Sequence, residues 1–120
     1  MGIKKIIFFL SMISLSANAI EGITYKMTTI NRIGQKENFL INRSQKGVLF
    51  NQSNLGLTGL YRFSFLFSKL ENFKEKNIKK CHEGDFFLSI ANKKSVENYR
   101  SCLEDSKVRE ILSEFYKKKP

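Results

Sequence analysis

The chain has 120 residues, with 21 Lys and Arg against 11 Asp and Glu, and a formal net charge of +10. That length and a hydrophobic share of 42% allow one domain with a modest core and argue against disorder. A single histidine excludes a multi-histidine zinc site, and the balance of charge favours anionic partners.

The N-terminus reads as an export signal. Lys4 and Lys5 precede the apolar run Ile6–Leu15, and Ala17-Asn18-Ala19 supplies the small side chains that signal peptidase accepts. An apolar core of about ten residues is too short for a helix that must cross roughly 30 Å of hydrocarbon. Cleavage after Ala19 is therefore expected. Residues 1–19 form the signal peptide, and 20–120 form one exported domain with no transmembrane span, in a bacterial periplasm or outside the cell. No cysteine near the cleavage site could carry a lipid. Without the two leader lysines, 19 basic side chains face 11 acidic ones, a net of +8. The abundance of Lys, Asn, Ile and Phe also fits AT-rich coding, so charge alone does not define a ligand.

Alternating apolar and polar residues predict a half-buried strand over Ile23–Thr28. The polar segment Gly34–Asn38 reads as a turn into a second strand, Phe39–Asn42. Ser44–Gly47 breaks the chain before a short third strand, Val48–Phe50, which Asn51–Asn54 ends. Residues 58–75 carry two patterns. As a helix, Leu60, Phe63, Phe67 and Leu70 share one face, bordered by Leu66 and Phe73, with Thr58 as cap. As a strand, Tyr61, Phe63, Phe65 and Phe67 alternate with Arg62, Ser64, Leu66 and Ser68. The apolar periodicity continues to Phe73, beyond a typical strand, and favours the helix.

Phe86–Ala91 is the clearest strand signal, and Asn92–Ser95 turns it into Val96–Cys102. Pairing about Lys93-Lys94 places Phe86, Leu88 and Ile90 on the face of Tyr99. Val108, Ile111, Leu112, Phe115 and Tyr116 then define an amphipathic helix over 105–118, capped by Asp105 or Ser106. Glu104 and Asp105 at its start and Lys117–Lys119 at its end match the helix dipole. Glu110, Glu114 and Lys118 form a ladder at four-residue spacing on its wet side. The sum is an α+β domain of order β-β-β-α-β-β-α, a small antiparallel sheet with both helices packed on one face.

Cys81 and Cys102 are the two cysteines, and in an exported chain they pair with each other. The bridge ties the chain just before the last hairpin to that hairpin's far end. Closing such a loop is worth roughly 3 kcal/mol in the chain-entropy picture.

Little else carries chemistry. Cys81-His82-Glu83 loses its thiol to the disulfide, which removes both a zinc ligand and a nucleophile. Glu83 with Asp85 and Glu104 with Asp105 are explained by a turn and a helix start rather than by a shared cleft. Gly56 and Gly59 are followed by Leu60-Tyr61, not the Lys-Ser/Thr of a phosphate loop. Asn42-Arg43-Ser44 and Asn51-Gln52-Ser53 match glycosylation sequons. No basic stripe interleaved with aromatics points to nucleic acid, and no cofactor, metal site or catalytic residue is expected. One surface stands out. If 58–75 is helical, Tyr61 and Phe65 lie one turn apart opposite the core face, flanked by Arg62 and Lys69, as at a binding surface. The expectation is a non-enzymatic exported binding protein, an inhibitor or envelope accessory factor, whose partner is a protein or an anionic envelope component. A basic surface protein adhering to anionic lipid or polysaccharide is the second reading, and a small hydrolase the third.

Overall fold

The computed structural model describes residues 22–51, 53–77 and 79–120. The signal peptide expected over 1–19 lies outside them. Six strands, β1 (Ile23–Asn31), β2 (Lys36–Ser44), β3 (Gly47–Phe50), β4 (Ser53–Gly56), β5 (Gly84–Ala91) and β6 (Val96–Cys102), form one sheet. Its spatial order is β4-β3-β2-β1-β5-β6, and every neighbouring pair is antiparallel. The helices are α1 (Thr58–Arg62), α2 (Ser64–Glu71) and α3 (Ser106–Lys118).

Alternation along the strands decides which face is covered. Tyr25, Met27, Phe39, Ile41, Val48, Phe50, Phe86, Leu88 and Tyr99 point to one side and are buried there under the helices. Phe63, Leu66, Phe67 and Leu70 from the α1–α2 segment, Phe73 just beyond it, and Val108, Ile111 and Phe115 from α3 complete the core. Rings interlock across the layers: Tyr25 stacks on Phe67 at 5.3 Å, Phe39 meets Phe115 at 4.6 Å and Phe73 meets Phe86 at 5.6 Å. The opposite face is largely polar. There Thr28 donates to Asn38 and Asn42 donates to Thr24 across β1 and β2. The α+β class, the helices on one face and the Leu88–Tyr99 register of the last hairpin all match the sequence reading.

Four details differ from it. First, the turn expected over Gly34–Asn38 is shorter, because Lys36, Glu37 and Asn38 already pair with Ile30, Thr29 and Thr28. Second, the chain does not leave the sheet after Phe50. Asn51, at φ +44°, starts a tight reversal, and Ser53 pairs with Phe50 to begin β4. β4 is a polar edge strand held by backbone pairing, so no apolar pattern announces it.

Third, the expected single helix over 58–75 is two. The Ser64 hydroxyl donates to the Tyr61 carbonyl at 3.0 Å, and the path breaks at Phe63, a known effect of serine bonding back onto its own helix. Helical bonds from Phe63 N to Gly59 O and from Phe67 N to Phe63 O still span the break. Thr58 does not cap; its hydroxyl donates to the Leu55 carbonyl. Gly59 is needed where α1 lies on β3, since a Cβ there would sit 2.8 Å from that of Val48.

Fourth, the helix ends at Glu71, and residues 75–77 run as a strap along the outer edge of β6. Arg100 N donates to Glu75 O at 3.1 Å and Asn77 N to Arg100 O at 2.8 Å. An exposed sheet edge is a template for unwanted pairing, and the strap covers this one.

Polar contacts fasten the helices. The Tyr25 hydroxyl donates to Glu71 at 2.7 Å, and Arg43 reaches the same oxygen at 3.3 Å. Burial first, then that hydrogen bond, push the Tyr25 phenol far above its ordinary pKa. Asp105 caps α3, accepting from the amides of Lys107 and Val108. The ladder expected on α3 is replaced by other pairs: Glu110 with Lys69 of α2 at 3.2 Å, and Glu114 with Lys117 at 3.9 Å.

Candidate functional site

Cys81 and Cys102 form the disulfide, with Cα atoms 5.2 Å apart. The hairpin explains the distance, since Cys102 pairs with Asp85 at the start of β5 and Cys81 lies just upstream. Arg100 organises the surroundings. Its guanidinium donates to the carbonyls of Asn77 and Lys79 and to the Asp85 carboxylate, clamping the strap beside the bridge. Cys81, Cys102 and Glu104 lie close enough together to suggest metal ligands, but both sulfurs are spent in the covalent bond.

Glu104 has a structural task instead. Its carboxylate accepts from the amides of His82 at 2.7 Å and Glu83 at 3.1 Å, and these two bonds hold its pKa below the ordinary 4.5. A lowered carboxylate pKa stabilises the fold above the ordinary value, and that contribution is lost as pH falls through the lowered one. Glu104→Gln should therefore melt below wild type at neutral pH, with the gap narrowing as pH falls below the ordinary carboxylate range. Thermal melts across that range check it; a gap that does not depend on pH would contradict the assignment.

The asparagine side chains of both sequons are engaged in hydrogen bonds. Asn42 donates to Thr24, and the Asn51 side chain accepts from the Leu40 amide.

The helical layer presents a different surface. α3 lies antiparallel to α1 and α2: Arg62 donates to the Lys119 carbonyl at 3.2 Å at one end, while Lys69 meets Glu110 further along. Between α2 and α3 runs an open groove of about 400 Å³, with Phe65, Lys69, Lys107 and Glu110 on its rims and buried Phe73 and Ile111 at its base. Tyr61 is 86% exposed and Phe65 60% exposed, although both are large and aromatic. The Lys69 ammonium sits 4.8 Å above the Phe65 ring.

The structure thus joins Phe65 to Lys69, while Tyr61 and Arg62 are neighbours in sequence with no contact between their side chains. It also ties both cations to other groups, Lys69 to a carboxylate and Arg62 to a carbonyl. Sequence reasoning missed three members of this surface. Leu57, 62% exposed, continues the four-residue spacing of Tyr61 and Phe65. Tyr116, read as part of the apolar face of α3, is 43% exposed, and the Lys119 ammonium lies 4.9 Å from its ring. The spacing of Leu57 was visible in the sequence; the approach of Lys119 and Tyr116 was not, because it follows from how α3 docks.

No known protein family, curated protein or solved structure matches this chain. Function must therefore be argued from the surface itself. No helix among the described residues is long and apolar enough to cross a membrane.

Proposed function

We propose that the chain is a non-enzymatic binding domain that works outside the cytoplasm, in a bacterial periplasm or beyond it, and captures a macromolecule through its helical face. Tyr61 and Phe65 are the anchors, with Arg62 and Lys69 as cationic flanks. The observation that carries the reading is the 86% exposure of Tyr61 beside a Phe65 that is 60% exposed. Exposed large aromatics beside basic residues are what interfaces enrich, and leaving them in water has no folding benefit. The Cys81–Cys102 bridge supports export, since structural disulfides persist in oxidising compartments. The leader-like residues 1–19 support it independently. An inhibitor and an envelope accessory factor are two forms of the same role.

The test compares wild-type protein with Tyr61→Ala/Phe65→Ala as bait for native envelope extract. Both side chains are exposed, so the variant should keep the wild-type melting temperature. Retention of the bound component should fall by about tenfold or more. Equal retention would remove the helical face from the proposal. Intact mass addresses export separately: the product isolated from native cells should lack residues 1–19 and carry no titratable thiol, and a leader still attached would refute that half.

A further inference from the structure

Resting on the reading above, we infer that the partner of the helical face is an anionic lipid surface, which the protein meets with a row formed by Tyr61, Arg62, Lys119 and Tyr116. Arg62 donates to the Lys119 carbonyl at 3.2 Å, and the Lys119 ammonium lies 4.9 Å from the Tyr116 ring, so the row is continuous from α1 to the end of α3. Tyr61 and Tyr116 are 86% and 43% exposed. Exposed Leu57 and Phe65 extend the Tyr61 end.

Charge selects the occupant. In the groove the lysines are already answered, Lys69 by Glu110 and Lys107 by Glu75, so an acidic peptide laid there would meet a balanced field and Glu110 itself. Arg62, Lys118 and Lys119 have no carboxylate partner among the described residues. Two carboxylates border the row: Glu114, paired with Lys117, and Glu37, whose charge together with burial raises the Tyr116 pKa. Other cations of the chain are also without carboxylate partners, but Arg62 and Lys119 stand in one row with exposed tyrosines, where charge and ring can meet the same surface.

Shape agrees. Leu57, Tyr61 and Phe65 follow one another at four-residue spacing and are all exposed, so the three side chains can enter one plane together. Tyrosine, with an apolar ring and a polar tip, settles at headgroup depth, and Arg and Lys reach the phosphates beside it. The contact is peripheral, held jointly by shallow apolar insertion and by attraction to anionic headgroups.

The experiment is vesicle co-sedimentation of protein purified from cells expressing the full chain. Phosphatidylcholine vesicles with and without phosphatidylglycerol serve as probes, at low and high salt. Wild type should bind the phosphatidylglycerol vesicles, bind phosphatidylcholine far less, and weaken as salt rises. Arg62→Gln/Lys119→Gln should lower the partition by about tenfold or more. Tyr61→Ala/Phe65→Ala should weaken it as well and leave the residual binding more salt-sensitive. All three proteins share one N-terminus, so the differences report the helical face. No preference for phosphatidylglycerol, or variants that bind like wild type, would overturn the lipid assignment. If vesicles are ignored while extract retention still depends on Tyr61 and Phe65, the lipid inference falls and the binding-domain reading stands with a protein partner. If neither binding depends on those side chains, both fall.

Discussion

Phe115→Ala should destabilise the protein by about 3–5 kcal/mol, the range for truncating a fully buried phenylalanine. The ring is inaccessible to water and sits where three elements meet. It lies 4.6 Å from Phe39 of β2, 5.5 Å from Phe50 of β3 and 5.4 Å from Tyr116 of its own helix. Stiff aromatic neighbours collapse poorly into the space left behind, so the cavity contribution adds to the lost transfer free energy. A domain of this size has a total stability of roughly 5–15 kcal/mol, so the loss is a large share of the whole. Phe115→Leu keeps most of the volume and should lose clearly less. Urea titration followed by circular dichroism checks both. A loss below about 1 kcal/mol for the alanine variant would mean that α3 is not docked on β2 and β3 as described.

The second large effect concerns the disulfide. Cys81→Ser/Cys102→Ser should destabilise by about 2–4 kcal/mol, through freedom returned to the unfolded chain across a sequence separation of 21. A local consequence separates this variant from a core mutation. The strap over 75–77 is held on β6 by backbone bonds at Arg100, by the Arg100 guanidinium and by the Ser101 hydroxyl, which donates to Glu75 at 2.7 Å. With the covalent tie gone, these bonds and the Lys107–Glu75 ion pair retain it, and the amide protons of Asn77 and Arg100 should exchange faster than those at the centre of the β1–β5 ladder. Denaturant melts with and without reductant measure the global term, and hydrogen exchange measures the local one. A midpoint that ignores reductant would show that the bridge does not stabilise the domain.

These two effects rest on parts of the molecule that were differently legible. Phe115 was placed in the core by helical periodicity alone, because an isolated amphipathic pattern of Val108, Ile111 and Phe115 leaves one way to bury three large side chains. The pairing of the cysteines followed from their number and from the hairpin between them. The strap was not legible. Its signature is a set of backbone bonds to Arg100, and backbone groups are the same in every sequence.

The candidate surface divides in the same way. Four-residue spacing brought Tyr61 and Phe65 together in the sequence, and their exposure is as expected for a helix whose other face holds Phe63, Phe67 and Leu70. What the spacing did not reveal is which cations stay uncompensated. Lys69 looked like a free flank; it faces Glu110, 41 residues away. Lys119 reads in the sequence as part of a basic helix end; in the structure it also joins Arg62 to Tyr116.

From the amino acids alone came the class, the covered face of the sheet, the hairpin register and the cysteine pair, because each is written in local periodicity or simple counting. The docking of α3 against α1 and α2 decided the rest: the pairing of Lys69 with Glu110, and the approach of Arg62, Lys119 and Tyr116. Those depend on contacts between residues far apart in the chain, where a side chain's neighbour is set by packing rather than by its place in the sequence.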